Sequence, residues 1–370
     1  MSRARAAAAA ALCCALLAVP GAAPGQFNVR LQLDTRSAEE VLAVYRGGGS
    51  PAVAAATRGS RLAVATTALL SGRQLKDADL EAALGLVRTG RPVPDDPFLL
   101  GEARPAAPEI GALLGDLRTR DFAGSVVSAV AQLFPQGTAI DVAFPVYVVA
   151  FGHRNADGFV RRVEWRGEVP QFVGEGSGVP TIVVDLSKTA RNGRTPDERF
   201  TMVAATVAHE VFHAAFAATK DRSAFWRRWN AGPRRPVDDL FDLAQNEGIA
   251  YYMNFILQTR ARFTQPQAQE ARAAFDEFNR MAAELLDPRL TPARRRDIML
   301  RANTSSYWSN YGAITGMIAA RAIDNARGRD ALRQTIATGP LEFFRTYAEL
   351  ESSQPGIPPL SAAVREALRR

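Results

Sequence analysis

Residues 208–216 read AHEVFHAAF, and this stretch holds two of the three histidines in a chain of 370 residues. His209 and His213 stand four apart. On a helix that spacing places both imidazoles on one face, one turn apart, within reach of a single ion. Glu210 is turned by one residue step from His209, about 100° around the axis. It therefore sits beside such an ion without ligating it, where it can hold a water molecule and take its proton. The H-E-x-x-H pattern has zinc as its usual metal. The alternative, two hydrogen-bonded core histidines, requires both rings to meet partners by coincidence in a chain very poor in histidine.

A catalytic zinc site needs three protein ligands and one open position. An extended motif with Gly at 216 and His at 219 is excluded, because those positions hold Phe216 and Thr219. His153, in FGHRNADG, reads as an ordinary loop residue. A carboxylate is expected instead, and Glu247 in NEGIAYY is favoured. Its helical face also carries Leu240, Leu243, Ala244, Ala250 and Tyr251, and a lone carboxylate on such a face needs a cation. A structural ion pair to a buried arginine would meet the same need. Asp238, Asp239 and Asp242 compete, but they fall in the first turns of the same helix, where the helix dipole favours acids.

Two helices must carry these groups. RTPDERFTMVAATVAHEVFHAAFAAT (194–219) has Thr195 as cap, Pro196 at the first helical position and Glu198 to complete a capping box. Apolar residues surround it on nearly all sides, so it should be buried. PVDDLFDLAQNEGIAYYMNFIL (236–257) is the second. Before them, 139–152, 160–169 and 180–186 are rich in β-branched and aromatic residues and predict a small sheet. FVGEGSGVP (172–180) leads into a strand, not a helix, and is read as a flexible loop, not a phosphate cradle. Residues 26–137 read as mostly helical, with a Ser37/Glu40 capping box opening the first helix, and 261–370 as helical again. The order predicts an α+β fold: an N-terminal helical region (26–137), a catalytic core (138–260) and a C-terminal helical region (261–370).

The first 25 residues have the layout of a secretory signal. Arg3 and Arg5 precede an apolar run, Ala6 to Val19, that is too short to span a membrane comfortably, and small residues follow. Cys13 and Cys14 are the only cysteines and both fall in this segment, so the remainder has no disulfide or thiol chemistry. No later stretch reads as apolar enough to span a membrane. An exported protein, periplasmic or secreted, is expected. The net charge of +7 invites a nucleic-acid partner, but the arginines are spread along the chain and no binding motif accompanies them. Nothing in the sequence speaks to oligomeric state.

HEVFH followed by NEGIAYY resembles the gluzincins, the two-histidine, one-glutamate zinc peptidases. More closely, the chain is similar to a bacterial family described as zinc-dependent peptidases, through LQLDTRSAEEVL, AHEVFH, NEGIAYY, YGAITGMIAARAI and GRDALRQTIATGPLEFFRTY. The resemblance covers most of the chain after residue 25. It implies one Zn2+ per chain, a peptide or protein substrate, and Glu210 as general base. It also implies a downstream Tyr or His as oxyanion donor. No downstream His exists, and of Tyr307 and Tyr311 the latter is preferred. By fold analogy, PTIVVDL would be an edge strand that holds substrate backbone. One departure stands out: thermolysin-like sites place an Asp four residues after the third ligand, and here that position is Tyr251. A metal-binding or degenerate domain with an interaction role in the cell envelope is a competing reading, as is a zinc hydrolase acting on a non-peptide bond.

Overall fold

The computed structural model describes residues 27–152, 157–174, 177–259, 263–303, 307–351, 353–354 and 356–369. The signal-like segment with Cys13 and Cys14, and His153, lie outside the described residues. The fold is α+β, mostly helical around one five-stranded mixed sheet. The strands are β1 (Phe27–Asp34), β2 (Ile140–Val149), β3 (Gly158–Arg166), β4 (Val169–Phe172) and β5 (Val179–Asp185), in the order β1-β2-β5-β3-β4. β1, β2 and β5 run parallel, while β3 is antiparallel to both β5 and β4.

Two of these pairings differ from the sequence expectation. The region read as helical contributes β1, whose FNVRLQLD alternates apolar and polar residues at the period of a strand and pairs with β2 from Phe27–Ile140 to Asp34–Tyr147. β5 is not an edge strand: β2 and β3 occupy its two sides, so substrate backbone has no free edge there. β4 closes a tight hairpin on β3, with Gly167 at φ 60°, a left-handed conformation suited to glycine in a two-residue turn. The first helix begins at Arg36, and Ser37 does not cap it; its buried hydroxyl joins Thr57 and the Ser60 amide instead.

The helix Pro196–Arg222, here the histidine helix, is 27 residues long and lies against β2, β3 and β5. The Thr195 hydroxyl accepts from the Glu198 amide at 3.1 Å, as its capping role requires, while the Glu198 carboxylate accepts from the Arg194 amide. Phe212 and Phe216 are fully buried, each worth about 1.5–3 kcal/mol. By length and hydropathy this helix would pass for a membrane span, contrary to the sequence expectation, but more than half of its apolar stretch is buried inside the molecule. That is the behaviour of a core helix.

The helix Pro236–Thr259, the glutamate helix, packs on the histidine helix and more broadly on the helix Tyr311–Arg327, the buttress helix. Gly248 of the former meets Gly316 of the latter so closely that a Cβ on Gly248 would overlap the Gly316 backbone, and one on Gly316 would overlap the Ala244 carbonyl. The contact requires small residues because backbone touches backbone, and neither helix can give way without moving its own ladder.

Gly316→Ala should therefore destabilise the protein by on the order of 1–3 kcal/mol in thermal or denaturant unfolding. Gly85→Ala provides the contrast. Gly85 is helical with open space where its Cβ would go, so the same change there should stabilise by about 0.5–1 kcal/mol. Equal effects at the two positions would remove the close crossing as a stability determinant.

Candidate metal centre

The structure brings His209, His213 and Glu247 together, with one donor atom from each lying within 4.8 Å of the others. The Nε2 atoms of the two histidines are 2.9 Å apart, and Glu247 Oε2 is 3.7 Å from that of His209 and 3.4 Å from that of His213. All three side chains are largely shielded, with 14–16% of their surface accessible. The i, i+4 spacing on the histidine helix turns both rings to one side. The packing of the glutamate helix across that side delivers the carboxylate.

Each of the three side chains is anchored at its far end. His213 Nδ1 is 3.1 Å from Asn246 Oδ1, and His209 Nδ1 is 3.4 Å from the Asn254 amide nitrogen. The Asn254 oxygen is otherwise buried without a partner. Turned about, that amide accepts from the His209 Nδ1–H, which is the tautomer that frees Nε2 for a metal. Glu247 Oε1 accepts from Asn303 Nδ2 at 2.8 Å, leaving Oε2 to face the imidazoles. Two ring nitrogens and one carboxylate oxygen converge, and their remaining polar atoms are held by neutral amides. That donor set suits zinc.

Electrostatics inside the cluster agree. Burial opposes charge on His213, but the Glu247 carboxylate outweighs it, helped by Glu210 and Asn246, and the metal-free imidazole is pushed up to about 9. Burial likewise works against ionised Glu247, yet the two histidines hold it well below the usual carboxylate range. Without a metal, the pair is an imidazolium and a carboxylate.

The competing acids are occupied elsewhere. Asp238 pairs with Arg235, Asp239 with Arg234 and Arg295, and Asp242 with Lys220. A cavity of about 330 Å³ lies against Asn246 and Glu247, walled by Lys220, Asp242, Arg234 and Asp239. Glu210 is half-buried beside the cluster and, among the described residues, has no hydrogen-bond or ion-pair partner. Its carboxylate is free to meet a water or a substrate.

The tyrosines divide differently from the sequence expectation. Tyr311 is buried, and its hydroxyl donates to the Ile298 carbonyl; the charges that act on it are Arg301, Glu277, Arg294 and Asp297, none of them in the cluster. Tyr251 is the phenol at the site. Its ring meets that of His209 with centroids 5.4 Å apart, its oxygen accepts from Asn310 Nδ2 at 2.8 Å, and Tyr307 stacks on its other side. Burial, reinforced by the charges of Glu247 and Glu210 against the Asn310 bond, raises it well above an ordinary tyrosine, so it remains an O–H donor. Sequence reasoning placed Tyr251 on the face of Glu247 and noted it where a thermolysin-like site has Asp, but gave it no part in the chemistry, and it passed over Asn246 and Asn254. The signal was present in part: Tyr251 and Asn254 share the helix of Glu247 at four and seven residues after it, the spacings of a common face, while Asn246 is its immediate neighbour.

An α+β fold in which one buried helix presents two imidazoles to a carboxylate on the next defines a class, that of proteins with a two-histidine, one-glutamate cluster that could hold a metal ion. The chain belongs to the family described as "Putative zinc dependent peptidase", whose family model matches residues 96–354 and so takes in the sheet from β2 onward and every residue of the cluster. No curated protein and no solved structure matches the chain.

Zinc must displace the His213 proton to bind, because only the neutral imidazole is a ligand. Zinc uptake near neutral pH should therefore release protons, and affinity should climb as pH rises towards 9. Calorimetry in buffers of different ionisation enthalpy reads both. Asn246→Ala and Asn254→Ala should each weaken zinc binding about 10- to 100-fold. Glu247→Ala should remove most of it, whereas retained zinc in that variant would break the assignment of the third ligand.

Proposed function

We propose that the protein is an exported gluzincin-type zinc peptidase, with one zinc per chain held by His209, His213 and Glu247 and with Glu210 as its general base. The observation that carries the reading is the convergence of three anchored donor atoms beside Glu210, which stands on the helix of the two histidines and has no partner among the described residues. A zinc ion bound there supplies Lewis acidity towards a carbonyl oxygen and makes a water acidic enough to attack at neutral pH.

The chain's own residues do the rest. Glu210, one residue step from His209, takes the proton of the attacking water and passes it to the departing amine, so one carboxylate serves as base and then as acid. Tyr251 donates its O–H to the oxygen that gains charge as the carbonyl becomes tetrahedral; Asn310 fixes the phenol by donating to its oxygen, which leaves the phenolic proton free. Asn246 and Asn254 keep both imidazoles oriented. The signal-like residues 1–25 support export, and a mature chain from Gln26 keeps every residue of the site.

The protein from residue 26 onward should cleave an unfolded protein substrate and lose that activity to a chelator. Glu210→Gln should retain about one zinc per chain and lose at least 100-fold in kcat. Tyr251→Phe should lower kcat on the order of 100-fold, with Tyr311→Phe near wild type in activity. Full turnover in Glu210→Gln sinks the mechanism. Zinc binding without cleavage of any protein or blocked peptide favours a non-peptide substrate or a binding role.

A further inference from the structure

Tyr307 is 44% exposed, whereas every other described phenylalanine, tyrosine and tryptophan is buried or half-buried. It opens the short 3-10 turn Tyr307–Ser309, and contacts on both sides of it tie that turn to the metal centre. Its ring stacks on Tyr251 with centroids 5.0 Å apart, and Tyr251 meets His209 at 5.4 Å. Four residues before it, Asn303 donates to Glu247 Oε1 at 2.8 Å; three residues after it, Asn310 donates to the Tyr251 hydroxyl at 2.8 Å. Two ring contacts thus lead from Tyr307 to one histidine of the cluster, and its own turn is pinned to the carboxylate and to the phenol beside that histidine.

The rest of the ring's surroundings are sparse. Trp308 meets it edge-on, with centroids 5.0 Å apart, and the Tyr307 hydroxyl has no hydrogen-bond partner among the described residues. What this position offers is therefore ring surface. Leaving such surface in water forgoes the free energy its burial would bring. The fold covers its other aromatic rings and leaves open the one beside the cluster. A ring already packed on a second ring is held in place, so it can meet a further π-system by offset or edge-to-face contact with little additional ordering cost. An extended peptide advances about 3.3–3.6 Å per residue, so a substrate held at the cluster reaches Tyr307 with a side chain close to the scissile bond.

We propose that Tyr307 is a specificity-determining residue of this site and that its open ring receives an aromatic side chain of the substrate, close to the scissile bond. The inference rests on the peptidase reading for the identity of the substrate, but recognition of the ring can be read without turnover.

The test titrates the zinc-loaded Glu210→Gln protein, which should bind without cleaving, with blocked hexa-alanine peptides in which one phenylalanine, or one cyclohexylalanine of similar volume, is walked along the chain. At one position at least, phenylalanine should bind about 10-fold or more tighter than alanine, and about 2- to 10-fold tighter than cyclohexylalanine, the margin of ring–ring contact over plain burial. Adding Tyr307→Ala should bring the phenylalanine peptide down to the level of the all-alanine one. Tyr307→Phe should keep both gains, and Tyr307→Leu should keep part of the first and lose the second. Zinc content and circular dichroism verify that each variant is folded. Equal binding of all the peptides, no binding of any of them, cyclohexylalanine as good as phenylalanine, or a preference that survives Tyr307→Ala overturns the proposal. Chelator-sensitive proteolysis by the wild type alongside any of those results leaves the peptidase reading standing. A Tyr307-dependent preference in a protein that cleaves nothing overturns the peptidase reading instead.

Discussion

Gly248 and Gly316 let the backbones of the glutamate and buttress helices touch, and Glu247 is the residue next to that contact. A carboxylate can serve as third ligand only if its helix is held to within a fraction of an ångström of the helix bearing the histidines. Side-chain packing alone leaves such a distance adjustable, whereas backbone against backbone does not. The histidine helix is fixed in turn by the sheet beneath it and by Phe212 and Phe216 in the core. The glutamate helix, clamped between the two, carries Glu247 and both amides that meet the two histidines. Its placement sets most of the cluster's geometry.

The neutrality of the surrounding amides has a chemical consequence. A carboxylate behind a zinc histidine pushes electron density onto the ligand, while an amide orients the ring with less of that effect. With Asn246 and Asn254 in these places, Glu247 would be the one anion among the groups holding a metal. A zinc ion there would keep net positive charge and act as a stronger Lewis acid than in a carboxylate-backed site. The Tyr251 ring fills the space against His209 and keeps it apolar, with its hydroxyl turned to Asn310. The tyrosine that stands where a thermolysin-like site has aspartate is thus part of a different solution to orienting the same ligands.

The charges around the cluster fall into two groups. Asp238, Asp239 and Asp242 are each matched by an arginine or lysine, so they stabilise the start of the glutamate helix without competing for the ion. Glu210, among the described residues, is matched by none. Fully satisfied buried groups make structure, and unsatisfied ones at a cleft are where a ligand is expected.

The residues with a local signature were legible from the sequence. His209, Glu210 and His213 are related by helical spacing, which fixes their common face whatever the surrounding fold. Glu247 could be singled out because a lone carboxylate on an apolar helical face needs a cation. The alternation in FNVRLQLD was equally local and was nonetheless read as part of a helical region, because its partner strand β2 lies more than a hundred residues away. What lay beyond the sequence were facts of long-range packing: that the β3–β4 hairpin folds back beside β5 and takes its edge, that Tyr311 turns to Ile298 while Tyr251 meets His209, and that Asn254 comes to the cluster. The sequence by itself determined which residue types could do the chemistry and on which helices they stand, because helical periodicity is a local property. Only the tertiary structure decided which of them meet, because the approach of two helices is set by side chains far apart in the chain.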